Sequence, residues 1–383
     1  MIGVWFGRIG LALSGLLVLV GLSGVALTVL PMPNLQLWAV GLLALEFSLV
    51  FGVLAAIGAL LAVLAVRTRA GKARRTAGRV LLVGNMLLLV ASVLPAASAW
   101  STANRLGIDL TLTEYLAGMS SSSDRDADER VRYATVEGTD LELDVWRARG
   151  AADEPRPIVV NVHGGASDTG PSPFPRWDQW LADSGYLVFH VDYRFFESGR
   201  WQTAPGDLKC GLGWVARNAE RYGGDSDRVT LMGQSAGGYL SLLAAYTDHE
   251  QLPPSCDAPP VRLDGVIAWY APGDATSEIP SRFRLSESVR TELLQQWELT
   301  PEQWRAASPS SYLRPGLPRT LVIQGGRDLL QPPENTREFA AGLDQVEVLD
   351  ELVEIPYADH QFDLSWGGFG SQLARGAILK FLE

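Results

Sequence analysis

Apolar positions in the first hundred residues run on without alternating. Ile9–Leu30, Leu35–Val66 and Val80–Ala99 are almost wholly apolar, and each can cross a hydrocarbon core of about 30 Å as a helix. Three such runs with one carboxylate among them, Glu46, do not read as the buried helices of a soluble domain. Past residue 130 the pattern changes. Val131–Arg147 alternates around Glu137-Gly138-Thr139, which predicts a β-hairpin. Strands are then expected at 157–162, 186–192, 229–233, 264–271, 319–324 and 346–355. Helices are expected near 175–184, 206–221, 236–247, 334–343 and 371–382. That order predicts an α/β fold: a mainly parallel sheet with helices on both faces. Residues 273–313, with Trp297 and Trp304, fit neither period and read as a helical cap or a surface insertion. The division expected is a three-helix membrane region over 1–100, a solvated stalk over 101–128 containing Ser120–Ser123, and one α/β domain over 129–383.

Charge orients this arrangement. Arg67, Arg69, Lys72, Arg74, Arg75 and Arg79 stand between the second and third apolar segments with no acid among them. Positive loops stay cytoplasmic, so the N-terminus is expected inside and everything after Trp100 outside. Residues 101–383 hold 25 basic and 42 acidic residues, a net −17, which argues against a nucleic-acid partner. The basic loop suits anionic lipid on the inner leaflet. Ala97-Ser98-Ala99 is a signal-peptidase-like pattern at which cleavage would release the domain. Glu46 reads as a packing group hydrogen-bonded to a neighbouring helix, with Asn85 a candidate partner, or as a group in proton or substrate movement.

Candidate chemistry centres on Gly233-Gln234-Ser235-Ala236-Gly237, which follows the apolar Val229-Thr230-Leu231-Met232 and opens a helical pattern. That is the context of a nucleophile elbow, in which a strained strand-to-helix turn lifts a serine clear of the backbone. A serine alcohol needs a base. The elbow order is serine, acid, histidine, and only His249 and His360 follow Ser235. His249 lies in a polar turn, whereas His360 follows a strand pattern. Thr320–Gln324 runs through Gly325-Gly326 to Asp328, a second strand end. Asp359 and Asp363 sit too close to His360 in sequence to come from one. Ser235, Asp328 and His360 are therefore the expected catalytic triad. Strand 157–162 runs into His163-Gly164-Gly165-Ala166, where glycines let backbone N–H groups approach an oxyanion. Gly164, Gly165 and Ala236 are the expected donors, with His163 organising the loop.

Residues from about Val131 to Glu383 resemble the hormone-sensitive-lipase-like and carboxylesterase branch of the α/β-hydrolases. The matching pieces are His163-Gly164-Gly165, Val191-Asp192-Tyr193-Arg194, Tyr222-Gly223-Gly224-Asp225, Gly233–Gly238, Gly326-Arg327-Asp328 and Asp359-His360. Ala166 stands where the branch has a third glycine. Gln234 is closer to bacterial carboxylesterases and membrane-bound isoprenylcysteine methylesterases than to hormone-sensitive-lipase-like enzymes. The resemblance implies a carboxylic-ester hydrolase working without a cofactor. Its expected partners are a small-molecule or lipid ester and the lipid bilayer. A peptidase or acyltransferase on the same triad, or a non-catalytic adhesion or scaffold module, remain alternative readings. Cys210 and Cys256 are the only cysteines, and bridged and unpaired states are both open. No metal-ligand spacing is evident.

Overall fold

The computed structural model describes residues 2–30, 32, 34–67, 71–118, 122–150, 154–165, 175–195, 200–277 and 299–383. The expected hairpin is present as β1 (Glu129–Val136) and β2 (Thr139–Trp146). Its two turn residues, Glu137 and Gly138, have φ of 51° and 84°, the left-handed pair that a tight hairpin turn demands. Then come β3 (Arg156–Val162), β4 (Leu187–Val191), β5 (Gly224–Gln234), β6 (Gly265–Trp269), β7 (Arg319–Gly325) and β8 (Leu349–Ile355). All eight make one sheet in the order β1-β2-β4-β3-β5-β6-β7-β8. β1, β2 and β4 pair antiparallel, and every pair from β4 through β8 is parallel.

The central strands are apolar on both faces because helices cover both. Ile158, Val160, Val229 and Leu231 pack towards α7 (Thr203–Asn218) and α8 (Ala236–Tyr246). Val159, Met232, Ile267 and Ile323 pack towards α6 (Pro175–Asp183) and the last helix, α11 (Phe369–Leu382). Phe339 and Leu343 of α10 (Pro333–Gln345) close the core beside Val322 of β7. Cys210 of α7 and Cys256, in the loop after α8, form a disulfide with Cα atoms 5.5 Å apart and a sequence separation of 46. Closing a loop of that size is worth about 4 kcal/mol through the entropy of the unfolded chain.

Part of the expected cap, residues 278–298 with Trp297, lies outside the described residues, as does Ala166. The remainder docks on the sheet's helical layer. α9 (Pro301–Ala306) starts at a Thr300–Gln303 capping box, and the Tyr239 hydroxyl of α8 donates to the Ala307 carbonyl at 2.6 Å.

The N-terminal region differs from its expected form in two ways. The first is a broken second segment: α2 (Leu35–Glu46) and α3 (Ser48–Arg67) flank Phe47. As one helix, 35–66 would be about 48 Å long, well beyond an apolar core of about 30 Å, whereas the 20 residues of α3 match it. Among the described residues, three helices are long and apolar enough to cross a membrane: α1 (Ile2–Val29, its apolar part Gly7–Val29), α3, and α4 (Lys72–Leu106). Small residues on α3 (Gly52, Ala55, Gly58, Ala59, Ala62) face inward, allowing close backbone approach. Asn85 Nδ2 donates to Ser14 Oγ at 3.1 Å, and that hydroxyl donates to the Gly58 carbonyl at 2.9 Å. Asn85 is thus not the partner of Glu46, which ends α2 and rests beside Gly368.

The second difference concerns the expected stalk. α4 runs without interruption into the α/β domain, where Ala96, Ala99, Ala103, Ile108 and Tyr115 share a core with Val159 and Trp269. The Phe369 ring lies tilted 4.8 Å from that of Trp100 and stacks 4.6 Å from that of Tyr115 of α5 (Leu112–Ala117). Gln372 accepts from the Thr111 N–H at 2.8 Å and donates to its carbonyl at 3.1 Å. Where a solvated stalk was expected from residue 101, the chain instead packs on the domain, with Trp100, Ile108 and Tyr115 against α11. The Ala97-Ser98-Ala99 pattern lies inside this helix, with Ala99 buried.

Candidate active site

The strand order reverses direction around β3, which lies between β4 and β5. Carboxyl ends at such a switch point form a natural crevice. Ser235 stands at the end of β5, with φ 53° and ψ −121°. That conformation is strained for a residue with a Cβ, and its neighbours explain how it is held. Its N–H donates to the Trp269 carbonyl of β6 at 3.0 Å. Gly233 and Gly237 press on backbone, Gly233 against Gly237 and Gly237 against Val162 and His163, leaving no room for a side chain at either position.

Asp328 follows β7 and His360 follows β8, so three strand ends bring the expected residues together. His360 Nδ1 lies 2.9 Å from Asp328 Oδ2, and its Nε2 lies 3.0 Å from Ser235 Oγ. A carboxylate only accepts, so Nδ1 carries the proton and the Nε2 lone pair faces the serine hydroxyl. Asp328 is fully buried. Besides His360 it accepts from the Leu330 and Gln331 N–H groups at 2.9 and 2.7 Å and from Gln324 Nε2 at 3.1 Å. Burial alone would lower the His360 pKa. The adjoining Asp328 carboxylate, its hydrogen bond, and the charges of Asp359 and Asp363 outweigh this and raise it above the usual histidine value.

The loop after β3 meets the elbow from the other side. A Cβ on Gly164 would fall 2.7 Å from the Gln234 carbonyl oxygen and 3.1 Å from Ser235 Cβ. Gly165 follows at φ 139°. Ala236 opens α8 directly after Ser235. Gly164 and Ala236 thus both adjoin Ser235, with Gly165 next to Gly164 in the loop. His163 is buried in the loop. Its ring nitrogens lie 3.0 Å from the Gly164 carbonyl oxygen and 3.2 Å from Asp192 Oδ1, and the Tyr193 hydroxyl donates to the His163 carbonyl at 2.9 Å. His249 stands apart, in a surface cleft with Lys209, Arg262 and Arg314.

Sequence reasoning missed Tyr270 and Trp38 here, and it weighed Asp359 and Asp363 only as rival acids. Tyr270, at φ 38° just past β6, packs its ring 4.5 Å from that of His360 and donates its hydroxyl to Asp363 Oδ1 at 2.6 Å. Asp359, set aside as the acid, has a different place: Oδ1 accepts from the His360 and Leu329 N–H groups at 2.7 and 2.8 Å. Burial, then the neighbouring Asp328 charge, pushes the Asp359 carboxyl upward. Trp38 comes from α2, its ring centroid 6.5 Å from that of His360. Strand periodicity carries no signal for any of these four. Arg194 is engaged by Asp207 and Glu137 at 2.8 and 2.6 Å, and Arg327 donates to the Thr28 carbonyl of α1.

This parallel sheet with a strained serine between β5 and α8 is an α/β-hydrolase fold. The BD-FAE family profile matches residues 143–343, more than half the chain, and the protein belongs to that family. Esterase LipC of Mycobacterium tuberculosis is 32% identical over 251 residues, covering 63% of this chain and 61% of LipC. The probable isoprenylcysteine α-carbonyl methylesterase ICMEL2 of Arabidopsis thaliana is 28% identical over 218 residues, covering 53% of this chain and 50% of its own length. The chain thus spans about half to three-fifths of the length of the curated relatives it matches. Among solved structures, Thermogutta terrifontis esterase 2 phosphonylated by sarin superimposes with a TM-score of 0.56 at 22% identity, over 68% of this chain and 96% of that one.

Proposed function

We propose that the protein is a membrane-anchored serine hydrolase that cleaves carboxylic esters through an acyl-enzyme. The observation that carries this reading is the alignment of Asp328, His360 and Ser235 at 2.9 and 3.0 Å. Ser235 Oγ attacks the acyl carbon as its proton passes to His360 Nε2. Asp328 holds the ring in the required tautomer and stabilises the imidazolium. The N–H groups of Gly164, Gly165 and Ala236 receive the developing oxyanion, each donor worth about 3–4 kcal/mol. His360 then protonates the departing alcohol, and water, activated by the same imidazole, releases the carboxylic acid and frees Ser235. No cofactor is required by this sequence of steps. The esterase names of LipC and its relatives support an ester as substrate.

The three long apolar helices support a bilayer anchor. The basic cluster around Arg67–Arg79 supports a cytoplasmic N-terminus and a hydrolase domain on the opposite side of the cell membrane. An ester carried in or near the bilayer would meet the site at raised local concentration. The test is turnover by the full chain in phosphatidylcholine vesicles. p-Nitrophenyl butyrate should be hydrolysed and p-nitrophenyl phosphate and a chromogenic peptide spared, with Ser235→Ala removing the activity. Peptide cleavage without ester turnover would overturn the reading.

A further inference from the structure

α2 has two different faces. Leu35, Leu37, Val40 and Leu43 are exposed, continuing the apolar surface of the spanning helices. Trp38 and Leu42 are buried with Met32, and Leu27, Leu329 and Leu330, the last two directly after Asp328, pack against them. Burying two such side chains is worth several kcal/mol, so α2 is seated on the hydrolase rather than merely near it. Polar contacts join the two as well: the Tyr115 hydroxyl donates to the Glu46 carbonyl at 2.8 Å, and Trp38 Nε1–H donates to Asp359 Oδ2 at 3.1 Å. The other oxygen of that carboxylate accepts from the His360 and Leu329 N–H groups. Asp359 therefore ties the backbone of the histidine loop to that of the Asp328 loop, and Trp38 anchors it from the membrane side.

Resting on the serine-hydrolase reading above, we propose that Trp38 is a positioning residue for His360, acting through Asp359, so that the membrane helices complete the active site and do more than tether it. A chain with Phe at this position keeps the aromatic packing and loses the N–H donor. Asp359 then holds the two loops through one oxygen with the other unpaired in a buried site. The carboxylate is less well solvated as an anion, so it protonates more readily. His360 loses a neighbouring negative charge, and its pKa falls. Charged groups facing the ring are Asp328 after β7 and Asp359 and Asp363 after β8. Arg327 lies within electrostatic reach of Asp359, and Glu46 at the end of α2 within reach of Asp363. Trp38→Phe substitutes none of these residues, and of them it touches Asp359 alone.

The experiment uses the full chain in phosphatidylcholine vesicles. Trp38→Phe, Asp359→Asn and the double variant are compared with wild type by p-nitrophenyl butyrate kinetics across pH and by the rate of fluorophosphonate labelling. Loss of one charge-assisted hydrogen bond should lower kcat and the labelling rate of Trp38→Phe about tenfold, with KM little changed. The acid limb of the pH profile should move to lower pH, as it should in Asp359→Asn. The double variant should be no worse than the more impaired single variant. Wild-type rates and pH profile in Trp38→Phe, or additive losses in the double variant, overturn the proposal. Labelling reads the serine's reactivity without an ester, so a wild type that labels but cleaves no ester defeats the esterase reading and leaves the Trp38 comparison intact.

Discussion

Gly164→Ala tests the loop that faces the serine. Gly164 does not occupy the positive-φ region, so alanine fits its backbone and the perturbation is steric. The new Cβ would meet the Gln234 carbonyl oxygen at 2.7 Å, about 0.7 Å inside ordinary contact, and Ser235 Cβ at 3.1 Å. Neither neighbour can yield cheaply. Gln234 is the last residue of β5, paired with Trp269 of β6, whose carbonyl accepts the Ser235 N–H. Relief must come from the 163–165 loop, which would move away from the serine by a substantial part of that overlap. An oxyanion donor displaced so far is largely lost, and one lost donor costs about 10²–10³ in kcat. Overpacking of this kind costs about 1–3 kcal/mol of stability. Ester turnover at saturating substrate should therefore fall about a hundredfold, with KM much less affected and thermal unfolding only modestly earlier. A Gly164→Ala enzyme that folds normally and keeps wild-type kcat would refute the assignment of this loop to the oxyanion.

Two further outcomes follow from the same geometry. An imidazolium cannot accept the serine proton, so kcat/KM should rise as pH passes through the His360 pKa; because that value is raised, the half-maximum should lie above the ordinary histidine value of about 6.5. Asp328→Asn should move that limb down as well as reduce turnover, and an unmoved limb would mean that another group controls it. Deleting residues 1–128 strips Ala96, Ala99, Ala103, Ile108 and Tyr115 from the core they share with Trp269 and Phe369. The remaining chain should aggregate or unfold at much lower temperature than the full chain, as read by light scattering and thermal denaturation; equal stability would contradict the packing of α4 and α5.

The sheet was legible because its signals are local. Val159, Leu231, Ile267 and Ile323 sit in short apolar runs ended by glycine or polar turns, and each run became a strand of the parallel core. The elbow was legible for a related reason: Gly233 and Gly237 are required by contacts within the turn itself. Ser235, Asp328 and His360 each end a strand pattern, so topology brings them together. What escaped was long-range. Trp38 lies 322 residues from His360 inside an apolar segment, where one more aromatic side chain carries no message. Trp100 looked like the end of the third span and Tyr115 like a linker residue because their partner, Phe369, is far along the chain. Glu46 looked like a group in mid-membrane until the break at Phe47 placed it at a helix end beside Gly368.

The central claim is that Ser235, activated by His360, is the nucleophile. The most direct measurement is to treat the full chain in vesicles with a fluorophosphonate, digest it, and locate the adduct by mass spectrometry in wild type and His360→Ala. The account predicts a single adduct on Ser235 in the wild type and at least a hundredfold slower labelling in His360→Ala. An adduct on another residue, or equal labelling rates in the two proteins, would contradict it.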